Sequence, residues 1–171
     1  MKLATKFEFS SGGVVYRKKD KTIEFLLGKH SGYHKWVLPK GLVEKGENPR
    51  ETAIREVKEE IGVDGRIIDK KSLIEIEYFY FADLGHEHGV DAQGKKTERR
   101  TVRYQENGGG KVRIHKKVVF FLMEYIKGDP TKHGWEMEDA SWFSAQTALN
   151  TLAFDSEKSA LSKAVEKLSK F

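Results

Sequence analysis

Three glutamates, Glu56, Glu59 and Glu60, sit within one short run beside Arg55, and oxygen anions packed this closely are suited to holding a cation or moving protons. Like charges at helical spacings of three and four repel, so the group needs solvent or a cation to offset it. A hard divalent ion meets that need well: Mg²⁺ prefers oxygen ligands in an octahedral shell, keeps several waters and is commonly shared with substrate phosphates. Arg55 lies about 40° from Glu59 in helical projection and is placed to orient a carboxylate without ligating anything. An isolated EVKEE would be read as the solvated acidic face of an ordinary helix. The residues around it decide otherwise.

The element that must carry these acids is a helix beginning at Pro49. Pro suits the first helical position, Asn48 caps the free backbone donors, and Glu51 three residues later completes a variant of the capping box. At about 100° per residue from Ala53, the apolar Ala53, Val57, Ile61 and Ile54 fall within roughly 0–100°, and Glu59, Glu56 and Glu60 within roughly 240–340°. One face is therefore expected in the core and the adjoining face is expected to be an exposed carboxylate cluster.

The wider spacing is more specific. Gly41, five residues, Glu47, seven residues, Arg55, Glu56, aliphatic Val57, one residue, Glu59, Glu60, one residue, Gly62 and aliphatic Val63 together resemble the Nudix box of the Nudix hydrolase superfamily. All nine fixed positions match. At ordinary residue frequencies, a chance match somewhere in the chain is on the order of one in a hundred million.

With 171 residues and 38% hydrophobic content, the chain is expected to form one domain, residues 1–171. The absence of cysteine excludes disulfides and thiol chemistry. No signal-peptide run opens MKLATKFEFS and no span approaches the apolar length of a membrane helix, so a cytoplasmic protein with no membrane partner is expected. The net charge is +5, and much of it is local: nine Lys or Arg against five Asp or Glu lie between Asp83 and Lys117. That concentration suits a polyanionic ligand and equally suits a solvated hairpin.

Along the chain, residues 12–16 and 23–27 read as two strands joined by the KKDK turn. Lys40, between Pro39 and Gly41 and next to the acidic helix, is a cation placed to meet a phosphate oxygen. Trp36 reads as core or a packing wall, and His30 and His34 as loop residues. Residues 65–70 and 72–82 read as strands, the second carrying aromatics on both faces, of which Tyr80 is a candidate to stack on a base. DLGHEHGVDAQGKK reads as a mobile loop in which His86 and His88 are solvated. Residues 101–106 and 111–115 alternate around Asn107-Gly108-Gly109-Gly110 and predict a hairpin. VVFFLMEY, from Val118, predicts a central buried strand, and His115 and Lys116 at its start are candidate substrate contacts. Glu136 and Glu138, at alternate positions of an extended segment, are expected to point the same way. Leu161, Ala164, Val165 and Leu168 predict a closing amphipathic helix.

The resemblance extends beyond the box, since SSGGVVYR, WVLPKG, HKKVVFFL and EMEDASWF follow in the order of a complete Nudix domain. It implies an α+β fold, an α/β/α sandwich with a mixed sheet, and hydrolysis of a nucleoside diphosphate linked to another moiety with Mg²⁺ or Mn²⁺. WVLPKG and HKKVVFFL look most like the bis(5′-nucleosyl)-polyphosphate hydrolases and the related diphosphoinositol polyphosphate hydrolases. The segment 83–110 is an insertion relative to their compact form. Carried over residue by residue, the pattern makes Glu56, Glu59, Glu60 and the Gly41 carbonyl the metal set. Glu136 is a base or an additional ligand, with Glu59 or Glu56 as the other candidates for base, and Glu47 and Arg55 hold the loop. The expected partner is a small nucleotide or polyphosphate. A nucleoside triphosphate, a binding module without turnover and a basic RNA-processing or RNA-binding protein are the alternatives, and the oligomeric state is left open.

Overall fold

The structure, a computed structural model, describes the backbone of residues 5–90, 96–104 and 112–171 and the side chains of residues 5–83 and 112–171. Two strands open the chain, as the apolar runs on either side of the KKDK turn predict. β1 (Thr5–Lys19) and β2 (Thr22–His30) pair antiparallel, with Val15 opposite Leu26 and Lys19 opposite Thr22. The turn between them puts Asp20 at a left-handed φ of 54°, which Asp tolerates better than most residues.

Two short strands without a sequence signal follow. β3 (Trp36–Val37) pairs with β2, and β4 (Lys40–Leu42) pairs with β1 so that Ser11 faces Gly41 and Gly12 faces Lys40. Two or three residues carry no periodicity, so docking makes these strands. The helix α1 (Pro49–Ile61) then starts and stops as predicted. Asn48 Oδ1 accepts from the Arg50 and Glu51 N–H groups, and Glu51 Oε2 accepts from the Asn48 N–H at 3.0 Å. Gly62 closes it at φ 72°, where a Cβ would be strained. Ala53, Val57 and Ile61 are fully buried, whereas Ile54, expected on the same face, is 45% exposed because its offset carries it past the edge of the buried stripe.

After the helix, β5 (Val63–Ile67) begins two residues before the expected strand and pairs antiparallel with β8 (Val112–Gly128), Val63 facing Gly128. The run from Val118 to Met123 is buried on both faces, as its unbroken apolar character predicts. β9 (Met137–Ser144) pairs antiparallel with β2. It leads into α2 (Ala145–Thr151), which had no sequence signal, and α3 (Asp155–Leu168), which buries Ala160, Leu161, Ala164 and Leu168. A parallel bridge joins Trp36 to Leu152. The architecture is α+β, a mixed sheet with helices packed on it.

The chain divides into two compact units, Ser10–Ile76 with Val118–Phe171, and Glu77–Lys117 with the chain up to Phe9. In the smaller, β6 (Ile74–Val90) and β7 (Lys96–Tyr104) pair antiparallel from Ala82 opposite Tyr104 to Val90 opposite Lys96. Two expectations are corrected here. Residues 83–90 and 96, expected in a mobile loop, are strand, and residues 101–104 take β6 as their partner and not residues 112–115. Backbone donors and acceptors are present in polar and glycine-bearing segments too, so a ladder forms wherever a partner strand supplies it. Alternation announces a strand but does not name its neighbour. The Asn107–Gly110 turn and the side chains of His86, His88, Lys95, Lys96, Arg99, Arg100, Arg103 and Lys111 lie outside the described residues.

Candidate active site

The site is assembled from β4, the loop after it, α1 and the turn before β9. Ser11 Oγ donates to the Pro49 carbonyl at 2.6 Å and approaches the Val119 carbonyl at 3.1 Å, tying β1 to the helix start and to β8. Gly13 N–H donates to the Pro39 carbonyl at 3.1 Å, which fixes the segment ahead of β4. Gly41 then runs so close to α1 that a Cβ there would come within 2.0 Å of Glu56 Oε1. The glycine is required for close approach, since any side chain would displace the carboxylate.

Arg55 holds the outer part of the cluster together. Its Nε and Nη2 bond Glu47 at 2.6 and 3.0 Å, its Nη1 reaches Glu56 at 2.7 Å and Glu59 at 3.0 Å, and Nη2 also donates to the Leu42 carbonyl at 3.2 Å. Thr52 adds a hydroxyl bond to Glu47 at 2.7 Å. The Arg55 bonds foremost, then Thr52, hold the Glu47 carboxyl down at about 2, and the same pairing raises Arg55. Arg55 thus links Glu47 to the Leu42 carbonyl and to Glu56 and Glu59.

Glu56 and Glu60 are a different matter. Both were expected on an exposed face, yet they are 9% and 6% exposed, while Glu59 alone of the three faces solvent with its side chain 59% exposed. Burial pushes the Glu56 carboxyl up to about 7; Arg55 opposes the rise and the charges of Glu59 and Glu136 add to it. Glu60 is pushed up by burial, then by Glu136 and Glu56, against a weaker opposing pull from Lys40. Its Oε2 accepts the Lys40 N–H at 2.9 Å. Projection alone put these acids beside the core; β4 packing over them puts them inside it.

Glu136 reaches the cluster through a turn. Gly134 N–H donates to the Glu60 carbonyl at 3.2 Å, and a Cβ on Gly134 would lie 2.3 Å from the Glu59 carbonyl, so the chain docks on the end of α1 before β9 begins. Ser31 N–H and Oγ both donate to the Glu136 carbonyl, at 2.8 and 2.9 Å. The pairing expected of Glu136 and Glu138 is corrected: Glu138 pairs with Lys29 at 3.0 Å and His34 at 2.7 Å, while the Glu136 charge acts on Glu56 and Glu60. The turn at Trp135 and Glu136 breaks the extended geometry on which same-side alternation depends.

Lys40 was expected to present its ammonium to a phosphate. Its Nζ instead lies 2.6 Å from Oε1 of Glu157, a buried acid of α3 that sequence reasoning missed. The available signal was an acid one turn before Leu161 on the apolar face of the closing helix. Trp36 packs edge-on against Phe143 at 5.0 Å, the wall expected of it. Tyr80, His115 and Lys116 belong to the smaller unit. There Tyr80 Oη donates to Glu8 at 3.2 Å, Lys116 Nζ lies 3.8 Å from the same carboxylate, and His115 meets Glu77 at 2.9 Å and stacks on Phe79.

Among the described residues, no group of three or more His, Asp or Glu side chains is arranged as a ready metal cage, because Arg55 draws Glu56 and Glu59 to its own guanidinium. The donor set nonetheless suits a hard divalent cation. Two buried carboxylates both raised by the Glu136 charge, Glu60 by Glu56 as well, gain by sharing a positive charge, and carboxylate and carbonyl oxygens are the ligands Mg²⁺ and Mn²⁺ take. Among the described residues no helix is long and apolar enough to cross a membrane.

Comparison with known proteins bears on this geometry. Over 163 residues the chain is 28% identical to a Mycobacterium tuberculosis protein provisionally named mutator protein MutT4, a match covering 92% of this chain and 54% of that protein. It is 48% identical over 52 residues to the mouse asymmetrical bis(5′-nucleosyl)-tetraphosphatase, covering 30% of this chain and 35% of that enzyme. The matches to these curated relatives thus span about half of their length or less. A crystal structure of a Caenorhabditis elegans Ap4A hydrolase superposes with a TM-score of 0.61 at 26% identity, covering 96% of this chain and 99% of that one. The Escherichia coli dihydroneopterin triphosphate pyrophosphohydrolase shares the fold with a TM-score of 0.59 at 19% identity. With Glu56 and Glu60 of the box buried where β4 packs on α1 and the NUDIX domain family matching residues 6–164, the chain belongs to the NUDIX family.

Proposed function

We propose that the protein is a divalent-metal-dependent hydrolase that cleaves a phosphoanhydride bond in a nucleoside diphosphate linked to another moiety, with a dinucleoside polyphosphate as the substrate. The observation that carries this reading is the buried pair Glu56, packed against Gly41, and Glu60, held by the Lys40 amide, with Glu136 adding charge from the turn before β9. Similarity to the asymmetrical bis(5′-nucleosyl)-tetraphosphatases and to the nematode Ap4A hydrolase supports the substrate class.

Phosphoanhydride oxygens repel an incoming hydroxide, so a catalyst must neutralise them and position water in line with the leaving group. Mg²⁺ or Mn²⁺, when bound, supplies the neutralising charge and lowers the pKa of water. Glu56, Glu59, Glu60 and the Gly41 carbonyl are the groups we assign to hold it. Arg55 keeps Glu56 and Glu59 oriented, and Glu47 keeps Arg55 in place. Glu136 accepts the proton of the attacking water or joins the ligand set, with Glu59 and Glu56 as the other acids within the cluster able to take that proton. Water oxygen bonds to phosphorus, the bridging P–O bond breaks, and the released nucleotide carries away the electron pair.

The test is incubation of the protein with diadenosine tetraphosphate and Mg²⁺ or Mn²⁺ in oxygen-labelled water. A nucleoside triphosphate or diphosphate product with label in one phosphate is expected. Cleavage confined to nucleoside triphosphates, capped RNA or diphosphoinositol polyphosphates would move the substrate assignment, and metal-independent turnover would overturn the mechanism.

A further inference from the structure

Glu157 is a buried acid outside the box, 2% exposed in the first turn of α3. Its carboxylate divides between two groups of one segment: Oε2 accepts the Leu38 N–H at 3.0 Å, and Oε1 meets Lys40 Nζ at 2.6 Å. A carboxylate persists at this depth only with an opposite charge and hydrogen bonds, and Glu157 has both, together with the electropositive end of its own helix. An apolar side chain of the same size would leave the Leu38 N–H and the Lys40 ammonium without these bonds, so packing by itself does not account for an acid here.

The gripped segment is the one that borders the acid cluster. Between the two anchors stands Pro39, whose carbonyl accepts from Gly13 on β1 at 3.1 Å, so the segment is held from the sheet on one side and from α3 on the other. Lys40 then turns its N–H to Glu60 Oε2 at 2.9 Å, and Gly41 follows, with the Glu56 carboxylate packed against it. Lys40 is thereby a link between two buried acids 97 residues apart in the chain, taking Glu157 on its ammonium and Glu60 on its amide.

We propose that Glu157 is a positioning residue of the site: by gripping Leu38 and Lys40 it sets the amide that holds Glu60 and the Gly41 backbone beside Glu56, and so sets the affinity of the cluster for a divalent cation. This rests on the reading of the cluster as a metal site. Lys40 accordingly serves the site through its amide, with its ammonium committed to α3.

Two measurements on Glu157→Gln test it. The variant keeps an acceptor for the Leu38 N–H and removes the charge that holds Lys40. In metal-free protein, hydrogen exchange at the Lys40 amide, followed by NMR, is expected to quicken by about tenfold. In substrate-free titrations read from the signal of unbound Mn²⁺, the dissociation constant is expected to rise by about tenfold, the lower end for groups that orient metal ligands. A merely structural Glu157 would lower the melting temperature and leave both values unchanged in the folded protein. An unchanged Lys40 amide overturns the proposal whatever happens to Mn²⁺, and a faster amide with unchanged Mn²⁺ affinity overturns its reach to the metal set. If the wild-type protein binds no Mn²⁺, the metal reading falls and the amide exchange alone decides whether Glu157 positions Glu60. Should Glu157→Gln fail to fold, Glu157→Asp, which keeps the charge but shortens the reach, is judged by the same two criteria.

Discussion

Glu157 and Glu60 are both buried carboxylates and both accept a hydrogen bond from Lys40, yet their surroundings are opposite in sign. Glu157 meets an ammonium and a backbone N–H. Glu60 meets one backbone N–H and the fields of two further carboxylates, Glu56 and Glu136. Burial is the same in kind, and the neighbours decide the role. A buried acid whose charge is matched holds structure in place, whereas one packed beside its own kind stores repulsion that a cation can relieve.

The largest effect that sharpens this contrast is expected from Glu60→Gln, which keeps an acceptor for the Lys40 amide and removes one of the repelling charges. Turnover at saturating Mg²⁺ should fall by at least about a hundredfold. The metal-free melting temperature should rise by about 2–4 °C, the shift that ~1 kcal/mol makes in a chain of this size. Calorimetry in chelator alongside a metal-titrated rate assay reads both. A wild-type rate would take Glu60 out of the metal set.

Gly41→Ala attacks the same pair from the backbone side. Its Cβ would come within 2.0 Å of Glu56 Oε1, so the carboxylate or β4 must shift. A loss of about 1–3 kcal/mol in urea unfolding is expected, with a fall in Mn²⁺ affinity. Unchanged Mn²⁺ affinity would show that Glu56 does not depend on this close approach.

The pH dependence of metal-free stability has a definite sign. Folding raises the Glu56 carboxyl from its ordinary 4.5 to about 7, so between those values the folded chain keeps a proton that the unfolded chain has lost. Stability therefore falls as pH rises through that window and the loss is complete above it. Glu56 accounts for at most about 3 kcal/mol of this. Glu47 has the other sign: held at about 2 by Arg55, it adds stability above its ordinary range that is lost only as pH falls toward 2. Urea titrations in chelator from pH 4 to 8, compared between wild type and Glu56→Gln, isolate the Glu56 part. Saturating Mg²⁺ should flatten the difference, and a stability that rises across the same window would reverse the assignment.

The smallest effect is expected at Glu138, two residues from Glu136 but paired with Lys29 and His34 at the surface. Glu138→Gln should change stability by less than about 1 kcal/mol and leave turnover within twofold. A loss of activity comparable to that of Glu136→Gln would show that the turn before β9 does not separate the two acids.

The start and stop of α1 were legible in the chain because caps are local: Asn48, Pro49, Glu51 and Gly62 act within a turn of where they stand. The box spacing named the family for a similar reason, since it fixes which groups one helix and its entry loop carry. The buried run of β8 was legible from its composition, and β1 and β2 from the apolar runs on either side of the KKDK turn. What only the tertiary structure decided is which groups meet across long separations. Helical projection cannot tell that β4 covers Glu56 and Glu60 while leaving Glu59 to solvent, because that depends on Ser11 opposite Gly41 in β1. Alternation cannot tell that residues 101–104 choose β6, nor that a turn parts Glu136 from Glu138. Glu157 lies 117 residues from Lys40, and no local pattern links a closing helix to the residue before the box glycine. Local propensities set the elements, and the sharing of buried charge between distant elements set the site, because a carboxylate in the interior is stabilised or strained only by what packs against it.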